Sequence, residues 1–78
     1  MMATVRLFAA AEEAAGAAEL HVAAADLGAL RTALGAAHPG LAAILPRCAV
    51  LVDGARTPDD APLSDQAVVD VLPPFAGG

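Results

Sequence analysis

Apolar and polar positions alternate from the start of the chain. Val5 and Leu7 interleave with Thr4, Arg6 and Phe8, a period of two that predicts a strand over 4–9. One face of that strand carries Val5 and Leu7, and the other carries Arg6 and, unusually, Phe8. Alternation returns over 17–23, with Ala18, Leu20 and Val22 opposite Glu19 and His21. Between them 10–15 is rich in alanine and glutamate, which predicts a short helix ended by Gly16. So short a connection makes the two strands antiparallel neighbours. Asp26 is a candidate N-cap, and after it Leu27, Leu30, Leu34 and Ala37 recur at helical spacing as one apolar stripe. His38-Pro39-Gly40 stops this helix, and 41–45 adds a further helical turn ended by Pro46. A strand over 48–52 runs into Asp53-Gly54, a strong hairpin signal, with 55–56 as a stub of returning strand. The stretch 57–65 holds Pro58, Asp59, Asp60 and Pro62 and reads as a loop. A last strand covers 67–72, where Asp70 requires water, so Val69 and Val71 face inward and Val68 and Leu72 share the outer face.

This order predicts one amphipathic helix over one face of a small mixed sheet, an α+β fold of the ubiquitin-like β-grasp type. Residues 1–72 form the domain and 73–78 a flexible tail. The arrangement leaves the sheet's other face uncovered, with Arg6, Phe8 and Leu72 on it and Phe75 just beyond. Large apolar groups in a charged surface mark a docking site, so these residues are the candidate partner contacts.

Composition sharpens the picture. The chain has 78 residues, 58% of them hydrophobic, yet 22 are alanine and the larger apolar residues number the same. The result is a modest core diluted by alanine, too small to house a deep active site. The net charge of −5 disfavours nucleic acid and anionic membrane surfaces. The longest charge-free stretch, 32–46, is too short to span a bilayer and is broken by Gly35, Pro39 and Gly40. A single cysteine, Cys48, excludes an internal disulfide framework and suits a reducing cytoplasm, where the chain is expected to work. Cys48 reads as a small core residue. No metal site is expected, because Cys48, His21 and His38 lack ligand spacing. Ser64, the one serine, has no histidine base beside it in the pattern, so no nucleophile–base pair is expected. There is no lysine, and all four cations are arginines.

The last six residues are Pro73-Pro74-Phe75-Ala76-Gly77-Gly78. Proline cannot donate to a ladder, so strand pairing ends at Pro73, and two prolines favour a stiff, extended exit from the body. Extended, six residues reach roughly 20 Å, enough to thread a narrow channel in another protein. A terminal carboxylate is ionised at neutral pH and can attack the α-phosphate of ATP. Glycine beside it removes steric bulk and leaves the backbone free to lie along channel walls.

PPFAGG resembles the PPVSGG-type ending of the MoaD/ThiS sulfur carriers, closest to the MoaD branch, the small subunit of molybdopterin synthase. The resemblance covers essentially the whole chain. It includes Val5-Arg6-Leu7-Phe8-Ala9 in the opening strand, Gly16 after the first helix, and Leu30-Arg31 in the main helix. Val52-Asp53-Gly54 and Leu63-Ser64-Asp65 continue it. Departures are Glu12-Glu13 where Arg-Glu is common, Asp65-Gln66-Ala67 in place of Asp-Gly-Asp, and Phe75-Ala76 in place of smaller residues. The resemblance implies that Gly78 is adenylated at its carboxylate and converted to a thiocarboxylate, while Pro73, Pro74, Phe75, Ala76 and Gly77 insert into the large synthase subunit. It implies a carrier with no catalysis or cofactor of its own, ATP and Mg being bound by an E1-like, MoeB-like adenylating enzyme. A MoaE-like large subunit would complete a heterotetramer that delivers sulfur to the molybdopterin precursor. ThiS-like or tRNA-thiolation carriage, and ubiquitin-like protein modification, use the same kind of tail.

Overall fold

The computed structural model describes residues 2–74. Its elements are β1 (Ala3–Leu7), α1 (Ala10–Ala15), β2 (Glu19–Val22), α2 (Leu27–Ala37), α3 (Pro39–Ile44), a 3₁₀ turn (Leu45–Arg47), β3 (Ala49–Val52), β4 (Ala55–Arg56) and β5 (Val68–Leu72). They form one five-stranded sheet in the order β2-β1-β5-β3-β4. The central pair β1/β5 is parallel and the other pairs are antiparallel. This is the α+β, ubiquitin-like β-grasp arrangement that the pattern predicts.

The period-two alternation decides which side chains are covered. Ala3, Val5, Leu7, Val50, Val69 and Val71 all face one side and are buried. Leu27, Leu30 and Leu34 of α2, Leu41 of α3 and Ala11 of α1 pack over them. At roughly 25 cal/mol per Å² of apolar surface, these leucines and valines supply most of the stability of so small a body.

Two expectations, Ala37 and Pro46, are corrected here. Ala37 lies on the predicted stripe but is exposed, because it is the last residue of the helix and the buried stripe ends one turn earlier at Leu34. His38-Pro39-Gly40 ends α2 at Ala37 as expected, and the further helical turn, α3, starts directly at Pro39, whose fixed φ suits a first helical position. Pro46 sits inside a 3₁₀ turn rather than closing the helical segment.

Local chemistry accounts for the joints. Asp26 caps α2 by accepting from the Ala29 N–H at 2.7 Å, as expected. The N–H groups of Leu27 and Gly28 donate to the carbonyls of Ala61 and Asp59, so the long loop before β5 satisfies donors the helix cannot. Gly16 ends α1 at φ 76, the left-handed conformation glycine adopts without strain. Asp53 and Gly54, at φ 51 and 83, make the β3–β4 hairpin turn. Asp53 also accepts from the Val68 N–H through Oδ1 at 3.0 Å and donates its own N–H to the Val68 carbonyl, locking the hairpin to β5. Ala9, between β1 and α1, holds φ 51 and ψ −123, a region that strains any residue with a Cβ.

Candidate functional site

The uncovered sheet face is a row of side chains running across all five strands. The register aligns Glu19, Arg6, Asp70, Leu51 and Arg56 side by side. Residues opposite one another in paired strands share a face, so the row alternates acid, base, acid, apolar and base. At its centre Arg6 grips Asp70 with two hydrogen bonds, Nε to Oδ1 at 2.6 Å and the terminal guanidinium nitrogen to Oδ2 at 2.8 Å. Because Arg6 lies over it, the Asp70 side chain is only 15% exposed, less open than an outer-face position implies. Hydrogen bonding from Arg6 holds the Asp70 carboxyl below its usual range; partial burial opposes this and the positive charge of Arg6 adds to it. In turn Asp70, by hydrogen bonding and then by charge, raises Arg6.

One pleat toward the tail lies the apolar part. Phe8 follows β1 and donates its N–H to the Val71 carbonyl, which brings it level with the end of β5. It is 40% exposed, and Met2 is the other large apolar residue open to solvent among the described residues. Leu72, paired with Ala49, is half-buried rather than fully open, since β3 flanks it. The structure therefore places Arg6, Phe8 and Leu72 on one face, adjacent to the root of the tail. Pro73 continues the inward alternation of Val69 and Val71 and is buried, so it is part of the body, and Pro74 after it is exposed. Phe75, Ala76, Gly77 and Gly78 lie outside the described residues.

Other candidate chemistry stays dispersed. His21 lies 3.2 Å from Glu19, both exposed on β2. Cys48 is half-buried and its thiol donates to the Ile44 carbonyl; burial pushes it up, against the pull of Arg31. Among the described residues no three His, Cys, Asp or Glu side chains gather as a metal site. No helix there is long and apolar enough to cross a membrane. Two features escaped the sequence reading: the Arg31–Asp59 ion pair at 2.9 Å, which ties α2 to the loop, and a cleft at the tail root lined by Arg47, Arg56, Leu72, Pro73 and Pro74. Both join residues far apart in sequence, and only the hairpin signal at Asp53-Gly54 pointed to the second.

Solved structures of the same fold align over 96–100% of the chain. The small archaeal modifier protein SAMP1 of Haloferax volcanii is 25% identical, with TM-score 0.88 and complete coverage of both chains. Subunit 1 of the molybdopterin-converting factor of Helicobacter pylori, solved in complex with subunit 2, is 32% identical, with TM-score 0.77 and again complete coverage of both. A molybdopterin converting factor subunit 1 of Pyrococcus furiosus shares the fold at TM-score 0.88 and 22% identity, over 96% of this chain and 99% of that one. No curated protein matches the chain by sequence. The sequence profile of the ThiS family matches residues 5–78, from the first strand through the terminal glycines, and the chain belongs to that family of ubiquitin-like sulfur-carrier folds.

Proposed function

We propose that the chain is the small, sulfur-carrying subunit of a molybdopterin synthase, with the carboxyl group of Gly78 as its working group. The observation that carries this reading is the Pro-Pro-Phe-Ala-Gly-Gly run at 73–78, inside a family match that extends to Gly78. The relative of 32% identity that was solved with a second subunit supports a large-subunit partner for this chain too. In the proposed cycle, the Gly78 carboxylate attacks the α-phosphate of ATP on an E1-like enzyme and releases pyrophosphate. A partner's persulfide displaces AMP to give an acyl disulfide. A second thiol cleaves that disulfide, leaving the thiocarboxylate on Gly78 and a disulfide behind. Sulfur is a softer and stronger nucleophile than the oxygen it replaces, which suits delivery to the molybdopterin precursor.

The domain's part is to present the tail. Phe8 and Leu72 supply apolar area, Arg6 a charged rim, and the buried Pro73 anchors the tail to β5. ATP and Mg belong to the activating enzyme, and the chain serves as carrier rather than catalyst, in the cytoplasm. A second reading is attachment to proteins through Gly78, favoured by the likeness to SAMP1. Because the sequence has no lysine, such a modifier could not be extended through its own side chains.

Affinity purification from the native organism separates the two. The intact chain is expected to retain the large synthase subunit and Phe8→Asp to lose it, with unchanged melting. Tail-to-lysine adducts on many proteins, with no large subunit recovered, would instead establish the modifier.

A further inference from the structure

The four arginines fall into two classes. Arg6 is paired with Asp70 and Arg31 with Asp59. Arg47, at the end of the 3₁₀ turn, and Arg56, on β4, have no carboxylate within ion-pair distance among the described residues. The fold brings both to one cleft of about 580 Å³ that Leu72, Pro73 and Pro74 also line. In a chain of net charge −5, the uncompensated positive charge thus gathers at the root of the tail.

Such a cleft attracts an anion, and geometry restricts which one. Four residues separate Pro74 from the Gly78 carboxyl, a reach of about 13 Å when extended. A nucleotide reacting at Gly78 sits that far away, so the anion beside Pro74 belongs to the wall of whatever channel takes the tail. The planar guanidinium fork matches a carboxylate with two parallel hydrogen bonds. We propose that the cleft receives an aspartate or glutamate side chain from the mouth of the activating enzyme's tail channel, with Arg47 and Arg56 as its cationic walls. The proposal rests on the carrier reading, in which the activating enzyme is the first protein the tail must enter.

The test measures pyrophosphate release by the purified activating enzyme at varying carrier concentration and salt. The carriers compared are the wild-type chain, Arg47→Glu, Arg56→Glu and the double reversal. Both arginines are exposed, and the paired Arg47→Gln/Arg56→Gln chain covers the case in which a reversal fails to fold. Each reversal is expected to raise KM about tenfold with kcat changed less than about twofold, and the double reversal to abolish the rise of KM with salt. An unchanged KM, or an unchanged salt dependence, in the double reversal overturns the proposal. Loss of large-subunit binding with activation intact also overturns it, because the carboxylate would then lie on the other partner. Should the wild-type chain release no pyrophosphate, the carrier reading falls together with this one; activation of wild type and double reversal alike removes this one alone.

Discussion

Replacing Ala9 with glycine should stabilise the protein. At φ 51 and ψ −123, Ala9 holds a conformation that glycine adopts freely and alanine does not. Strain of this kind costs about 1–3 kcal/mol. Glycine returns about 0.4–1 kcal/mol of that by enlarging the unfolded ensemble. The net gain is about 0.5–2 kcal/mol. At roughly 4–8 °C per kcal/mol for a domain of this size, Tm rises by about 2–15 °C. No side-chain contact complicates the comparison, since Ala9 is exposed. Its carbonyl accepts from the Glu13 N–H, a bond that the substitution keeps. Ala36→Gly, at an exposed α2 position, is the control and should lose about 0.5–1 kcal/mol. Thermal melts by circular dichroism read both. A fall in Tm for Ala9→Gly comparable to that of Ala36→Gly would refute the reasoning, and with it the strained turn that sets Phe8 against the end of β5.

Other expectations follow from the same geometry. Leu30→Ala removes a fully buried side chain and should cost about 2–5 kcal/mol, seen as a lower urea midpoint at unchanged m; a loss under about 1 kcal/mol would contradict its central place. Asp53→Ala removes both the acceptor for Val68 and a residue tolerant of positive φ, and should cost about 1–2 kcal/mol, whereas Asp53→Asn keeps both and should stay within about 0.5 kcal/mol of wild type. The Asp70 carboxyl is depressed in the folded state, so the unfolded chain binds the extra proton as pH falls. Its contribution is therefore full above the ordinary carboxylate range and lost as pH drops through the folded value. Denaturant melts of wild type and Asp70→Asn should converge on acidification, and a gap that widens would show the sign to be wrong.

Much of this molecule was legible from local pattern. Val5 and Leu7, Val69 and Val71 declare the buried face by alternation, and Leu27, Leu30 and Leu34 declare the helix that covers it. Asp26, Gly16 and Asp53-Gly54 signal their joints because each satisfies a backbone requirement that few residues meet. Failures came where a non-local contact decides. Pro46 read as the end of the helical segment, yet it fits the first turn of the 3₁₀ helix that packs Leu45 into the core. Pro73 read as the start of a departing tail, but the inward alternation of β5 carries one residue further. Arg6 and Asp70, 64 residues apart, lie opposite each other only because β1 and β5 are parallel neighbours. The cleft formed by Arg47 and Arg56 needs the hairpin's register before the two charges meet. The Gly77-Gly78 ending was legible for a different reason: it resides in covalent structure, and its spacing from the last strand is a count along the chain.

The decisive measurement is the intact mass of the chain after incubation with the activating enzyme, ATP and a persulfide donor. Carriage of sulfur by Gly78 predicts a mass gain equal to exchange of one oxygen for one sulfur, confined to the C-terminal peptide and absent from a chain lacking Gly78. An unchanged mass, with ATP consumed and the domain folded, would contradict it.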